Sequence, residues 1–127
     1  MEYDPDLGVD PKKWRRLSEP RQFEVVEEYH RSHRIRVPRA RLHAAIHVIV
    51  ETQVAMGDEN PAARTLERLQ AEGLSRHDAV HAIGSVLAGY ILQVLQNRVS
   101  GKEVTSKYVE ELERLSAEQW KKLRPED

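Results

Sequence analysis

This chain of 127 residues predicts an all-α fold, a compact bundle of about five to seven helices around two central, largely apolar ones. Helix start and stop signals recur along it, and no run keeps the period-two alternation of a half-buried strand. Two segments, residues 38–56 and 75–97, are apolar almost all round, as helices covered on several sides must be.

Each element follows from its own residues. Asp10-Pro11, an N-cap followed by proline at the first helical position, opens a short helix over KKWRRL. Ser18 and Pro20 repeat the signal for a helix to about Arg34, with Phe23, Val26, Glu27 and His30 on neighbouring turns. Pro38 ends that segment and begins a third helix, which Gly57 closes after Met56. Asn60-Pro61 opens a fourth, ARTLERLQAE, stopped by Gly73. Ser75 caps a long fifth helix to about Asn97, in which Gly84 and Ala88 leave room for a close helix approach. SGKEVTS (100–106) is expected as a loop. KYVEELERL then forms an amphipathic helix with Tyr108, Leu112 and Leu115 inward, and Ser116 caps a last turn holding Trp120. The expectation is one domain over 1–127, with a core at 18–97 and C-terminal amphipathic helices at 104–124.

Composition excludes several function classes. There is no cysteine, hence no disulfide, thiolate metal site or cysteine nucleophile. Net charge is −1 with 32% charged residues, so nucleic acid is not an expected partner. The opening MEYDPDLGVD is acidic and lacks an apolar core segment, so no signal peptide is expected. Polar residues break the apolar stretches, so no membrane span is expected either. These readings suggest a cytoplasmic protein. Arg31, Arg34, Arg36, Arg39 and Arg41 form a basic elbow, read first as a solvated helix end. Trp14 and Trp120 read as covers of the core. No HExxH, phosphate-binding loop, dinucleotide fingerprint or nucleophile elbow is present.

The chemistry lies in the histidines. All six, at 30, 33, 43, 47, 77 and 81, precede residue 82. A short turn near Val37 makes helices two and three antiparallel, which puts His30 opposite His43 or Ala44, and Glu27 opposite His47. The fourth helix carries the chain back, so helix five starts at the same end with His77 and His81. Residues four apart on a helix are neighbours, so His43, His47 and Glu51 form a slanting stripe, and His77 and His81 a second pair. Burying several imidazoles is costly unless each ring nitrogen finds a partner, and one metal ion can partner several.

The candidate ligands are His43, His47, Glu51, His77, His81 and His30. Glu27 is a further ligand or base, and Asp78 and Ser85 are residues that could orient an imidazole. Imidazole and carboxylate donors suit zinc, iron, nickel or manganese. An ion with an open coordination position supports hydrolytic or redox chemistry, with Glu27 or Glu51 as base. The competing expectation is a non-enzymatic module, a homo-oligomer or a binder of another protein. It would use the basic elbow and the C-terminal amphipathic helix, with the histidines as a structural network. Either buried arrangement predicts stability falling from about pH 6.5 downward, with His33, nearest the turn, contributing little.

Two resemblances follow from these residues. His30, then His47 with Glu51, then His77 with His81, resembles part of the hemerythrin pattern. No histidine follows His81, so the likeness implies helix-bundle geometry and not an oxygen-carrying di-iron site. Glu28-Tyr29-His30, then His43, His47, Glu51 and Gln53, then His77, Asp78 and His81 resemble a bacterial family of unknown function, domain family 1841. The likeness spans residues 28–96 and implies an intracellular bacterial helical protein with no assigned activity.

Overall fold

The computed structural model describes residues 1–57, 60–96 and 101–123. Seven helices and no strand occur among them: α1 (Pro11–Arg16), α2 (Glu19–Ser32), α3 (Ala40–Ala55), α4 (Pro61–Ala71), α5 (Arg76–Leu95), α6 (Gly101–Arg114) and α7 (Ala117–Leu123). Four of the expected caps close as hydrogen bonds. The side chains of Asp10, Ser18, Asn60 and Ser75 accept from the backbone N–H groups of Lys13, Arg21, Ala62 and Asp78, satisfying donors that a helix start leaves free. Gly57 and Gly73 end α3 and α4 with φ of +81° and +107°, backbone that glycine adopts without strain.

Two boundaries differ from expectation. α3 begins at Ala40 rather than at Pro38, behind Arg39 in the left-handed region with no side-chain cap. Residues 101–106, expected in a loop, lie in α6. Thr and Ser lower helix propensity by only tenths of a kcal/mol each, and the packing of Tyr108 and Leu112, both buried, outweighs that. Ser100, the end of the fifth helix at Asn97 and the C-terminal limit at residue 124 lie outside the described residues.

The core is in two parts, and α3 is their shared wall. Val50 joins α4, α5, α6 and α7 on one side, around Leu69, Ile83 and Leu112. Ala44, Val48 and Ala55 join α1, α2 and the N-terminal segment on the other, around Trp14, Val25 and Val26. At about 100° per residue, His43, His47 and Glu51 fall on the strip of α3 between these two apolar faces. They are therefore polar groups at an internal seam rather than on a solvated face. α5 crosses α3 closely at Gly84, where an added Cβ would stand 2.6 Å from Ile46 Cγ2.

Candidate metal centre

Five of the six histidines meet at this seam. His30 comes from α2, His43 and His47 from α3, and His77 and His81 from α5. The His47 ring centroid lies 5.3 Å from that of His30, 4.8 Å from His43, 5.6 Å from His77 and 5.0 Å from His81. His81 Nε2 is 3.1 Å from His47 Nε2 and 3.1 Å from His77 Nε2. Ring nitrogens also converge within 4.8 Å in two overlapping triads, His47–His77–His81 and His30–His43–His47. His33 stays outside. It is exposed, stacks on Tyr29 with centroids 4.3 Å apart, and its Nδ1 lies 2.9 Å from the Tyr29 carbonyl oxygen.

A polar chain behind His47 fixes which of its nitrogens carries the proton. Arg76 makes a two-pronged ion pair with Glu51, at 2.7 and 2.9 Å. The Tyr3 hydroxyl donates its single proton to Glu51 Oε2 at 2.6 Å, so its oxygen accepts from His47 Nδ1 at 2.9 Å. His47 is thus protonated at Nδ1 and presents a lone pair at Nε2. His30 is fixed in the same sense, its Nδ1 donating to the Val26 carbonyl at 2.8 Å. Ligating histidines characteristically have this arrangement, with the far nitrogen held by a carbonyl or carboxylate-linked group and the near one bare.

The three clustered Nε2 atoms do not satisfy one another. One N–H on His81 cannot be directed along both 3.1 Å contacts, and a lone pair there would face the lone pair of His47. In either tautomer at least one contact remains uncompensated. The buried Nε2 of His43 has no hydrogen-bond partner. Nitrogens bound to a tetrahedral zinc at about 2.0–2.1 Å stand roughly 3.3–3.4 Å apart, so the two 3.1 Å contacts of His81 need shift by only tenths of an ångström, and the ligand atoms of the triad all lie within 4.8 Å of one another. The residues fit a transition-metal ion.

Burial makes the cluster resist protonation. It lowers His47 to about 2, His81 to about 3 and His43 to about 4, with mutual repulsion among the histidines adding to the effect. His77 is lowered as well, again by burial first, with the negative charges of Asp6, Asp78 and Asp4 opposing. Tyr3 is raised well above the ordinary tyrosine value by burial and by the adjacent Glu51 charge, which keeps its proton in place. Burial works against the Arg76 cation, yet its hydrogen bonds and charge contact with Glu51 outweigh that and raise it. His43, His47, His77 and His81 thus favour the neutral form, which keeps lone pairs ready for a cation.

The other sequence candidates sit further out. Glu51, 0% exposed, spends its oxygens on Arg76 and Tyr3, one layer behind the imidazoles. Glu27 lines a cleft with His30 and Ala44 and another with Arg41. Asp78 acts on His77 through its charge, and the Ser85 hydroxyl donates to its own helix at the Ala82 carbonyl, 2.8 Å away. Gln53 accepts from the Tyr108 hydroxyl at 2.7 Å.

Two residues that sequence reasoning did not single out hold the centre together. Tyr3 stands 44 positions before His47 in a segment with no periodicity. Arg76 directly follows the Ser75 cap, where a base reads as solvated. The signal for a cation was the presence of Glu51 inside an apolar helix. The N-terminal segment is also strapped down at Arg76, which donates to the Pro5 carbonyl at 2.8 Å, and at Asp6, which accepts from the His77 backbone N–H at 3.1 Å. Comparison with family models, curated proteins and solved structures finds no match to this chain.

Proposed function

We propose that this protein binds one transition-metal ion through His47, His77 and His81, with His43 and His30 within reach to complete the coordination. The observation that carries the reading is the convergence of three Nε2 atoms, with His81 3.1 Å from each of the other two and no proton arrangement that serves both contacts. One ion is proposed rather than two. His47 belongs to both triads, yet has a single free lone pair, its Nδ1 proton being held by Tyr3. An all-imidazole donor set suits zinc, iron or nickel better than manganese, which prefers carboxylate oxygen. Three imidazoles leave a coordination position open, the arrangement of catalytic rather than structural zinc sites, and an ion so held supplies Lewis-acid or redox chemistry. Kinship with domain family 1841 belongs to the same proposal, supported by its motif histidines being the ones that meet here.

The interaction-module reading is less well supported. The apolar face of α6 is turned inward, with Tyr108 and Leu112 buried in the core shared with α5 and α4. The basic elbow is exposed from Arg31 to Arg41 apart from the half-buried Val37. The test is elemental analysis of untagged protein with thermal melting. About one zinc, iron or nickel per chain is expected, with a higher Tm on adding that metal and loss of both in His47→Ala. Metal-free protein whose Tm no added metal raises would refute the proposal.

A further inference from the structure

A cavity of about 260 Å³ opens onto the cluster between α3 and α5. His43, His47 and His81 form its polar floor, and Ile46, Val80, Ala88 and the Trp120 indole form its walls. The two side chains whose buried ring nitrogens lack a partner, His43 and Trp120, both line it. Its size lies just under the roughly 300–1,000 Å³ of sites for drug-sized ligands, so it suits a molecule of a few carbons. Gly84 shapes it, because a Cβ there would collide with Ile46 Cγ2 at 2.6 Å.

Charge chooses the occupant. Imidazoles are neutral donors, and the one carboxylate behind them, Glu51, is cancelled by Arg76 at 2.7 Å. A divalent ion at this centre therefore keeps its two positive charges inside a poorly solvated seam. Asp4, Asp6 and Asp78 reach His77 electrostatically, but none of the three lines the cavity, and no lining residue carries a formal charge. An anion is what such a centre draws in, and the apolar walls favour one with a hydrocarbon body.

We propose that the cavity binds a small organic monoanion, a short-chain carboxylate, with its head on the metal and its alkyl chain along Ile46, Val80, Ala88 and Trp120. This rests on the metal reading above.

The test loads untagged full-length protein with Co²⁺, whose visible absorption reports its ligands, and titrates acetate, propionate and butyrate, with 1-butanol as a neutral control. Saturable spectral changes are expected, with affinity rising about fourfold for each added methylene as it enters an apolar wall, and none with butanol. Ala88→Leu, which fills the cavity away from the histidines, should keep its cobalt and its acetate response but lose the gain with chain length. If Ala88→Leu does not fold by circular dichroism, Ser85→Leu at the exposed edge of the same cavity gives the same reading. Bound cobalt with no carboxylate response, with equal affinity for all three acids, or with an undiminished gain in the filled variant overturns the proposal and leaves the metal reading standing. Failure to take up cobalt overturns both, and the measured metal content tells the two failures apart.

Discussion

Acid should destabilise the metal-free protein steeply, and the size of the effect follows from two residues. His47 and His81 are held by burial at about 2 and about 3, whereas an unfolded histidine titrates near 6.5. Their folded values are depressed, so the unfolded chain binds more protons as pH falls, and the stability present above about pH 6.5 is lost below it. Between pH 7 and 5 the unfolded imidazole goes from mostly neutral to almost fully charged while the folded one stays neutral. The loss is then about 2 kcal/mol for each residue, whether the folded value is 2 or 3, and about 4 kcal/mol for the pair. His43 and His77, each only about half-buried, add a smaller part once solvent screening is allowed for. Against a typical total of about 5–15 kcal/mol, that is a large fraction. The assay is urea denaturation of chelator-treated protein at pH 7, 6 and 5, compared at constant m. His81→Gln, which cannot titrate, should recover about 2 kcal/mol of the pH-dependent loss whatever its stability at pH 7. His33→Gln, at an exposed position outside the cluster, serves as the control. If His81→Gln retains the wild-type slope, His81 is already protonated or already solvated in the folded state, and the buried neutral cluster is wrong.

Three further outcomes follow from the groups behind and beside the histidines. Tyr3→Phe removes the acceptor of His47 Nδ1 and a donor to Glu51. It should cost about 1–3 kcal/mol and weaken zinc binding roughly 10–100-fold, measured by urea denaturation and by competition with a chromogenic chelator. Arg76→Met leaves Glu51 charged and unpaired in the core and should cost about 3–5 kcal/mol in the same denaturation assay. Arg76→Met combined with Glu51→Gln should cost less than Arg76→Met alone. Gly84→Ala should cost about 1–3 kcal/mol through the clash with Ile46, and a double-mutant cycle with Ile46→Ala should show a favourable coupling between the two.

How much of the centre could be read from the sequence depended on which kind of constraint placed each residue. Connectivity alone placed all six histidines at one end of the bundle, through an antiparallel pair of helices joined by a short turn and a fourth helix returning the chain so that α5 starts beside α3; five of them meet there, while His33 stays exposed. That reasoning used only helix order, and it placed His30 against His43, whose rings lie 4.9 Å apart. The amphipathic α6 was recognised from its apolar stripe, while its first turns were taken for a loop because propensity was weighed without the packing that overrides it.

Glu51 shows the deeper limit. In a stripe of His, His and Glu at four-residue steps, all three read as ligands, yet their costs of burial differ. A neutral imidazole can enter the core and keep a lone pair for a metal, whereas a buried carboxylate needs a counter-charge and hydrogen bonds of its own. Glu51 meets that need with Arg76 and Tyr3, and in doing so sets the tautomer that gives His47 its free lone pair. The ion pair therefore lies one layer behind the candidate ligands. Spacing along α3 could indicate that Glu51 required a cation, but the cation came from α5 and the hydroxyl from a segment with no helical pattern, so only the folded arrangement could name them.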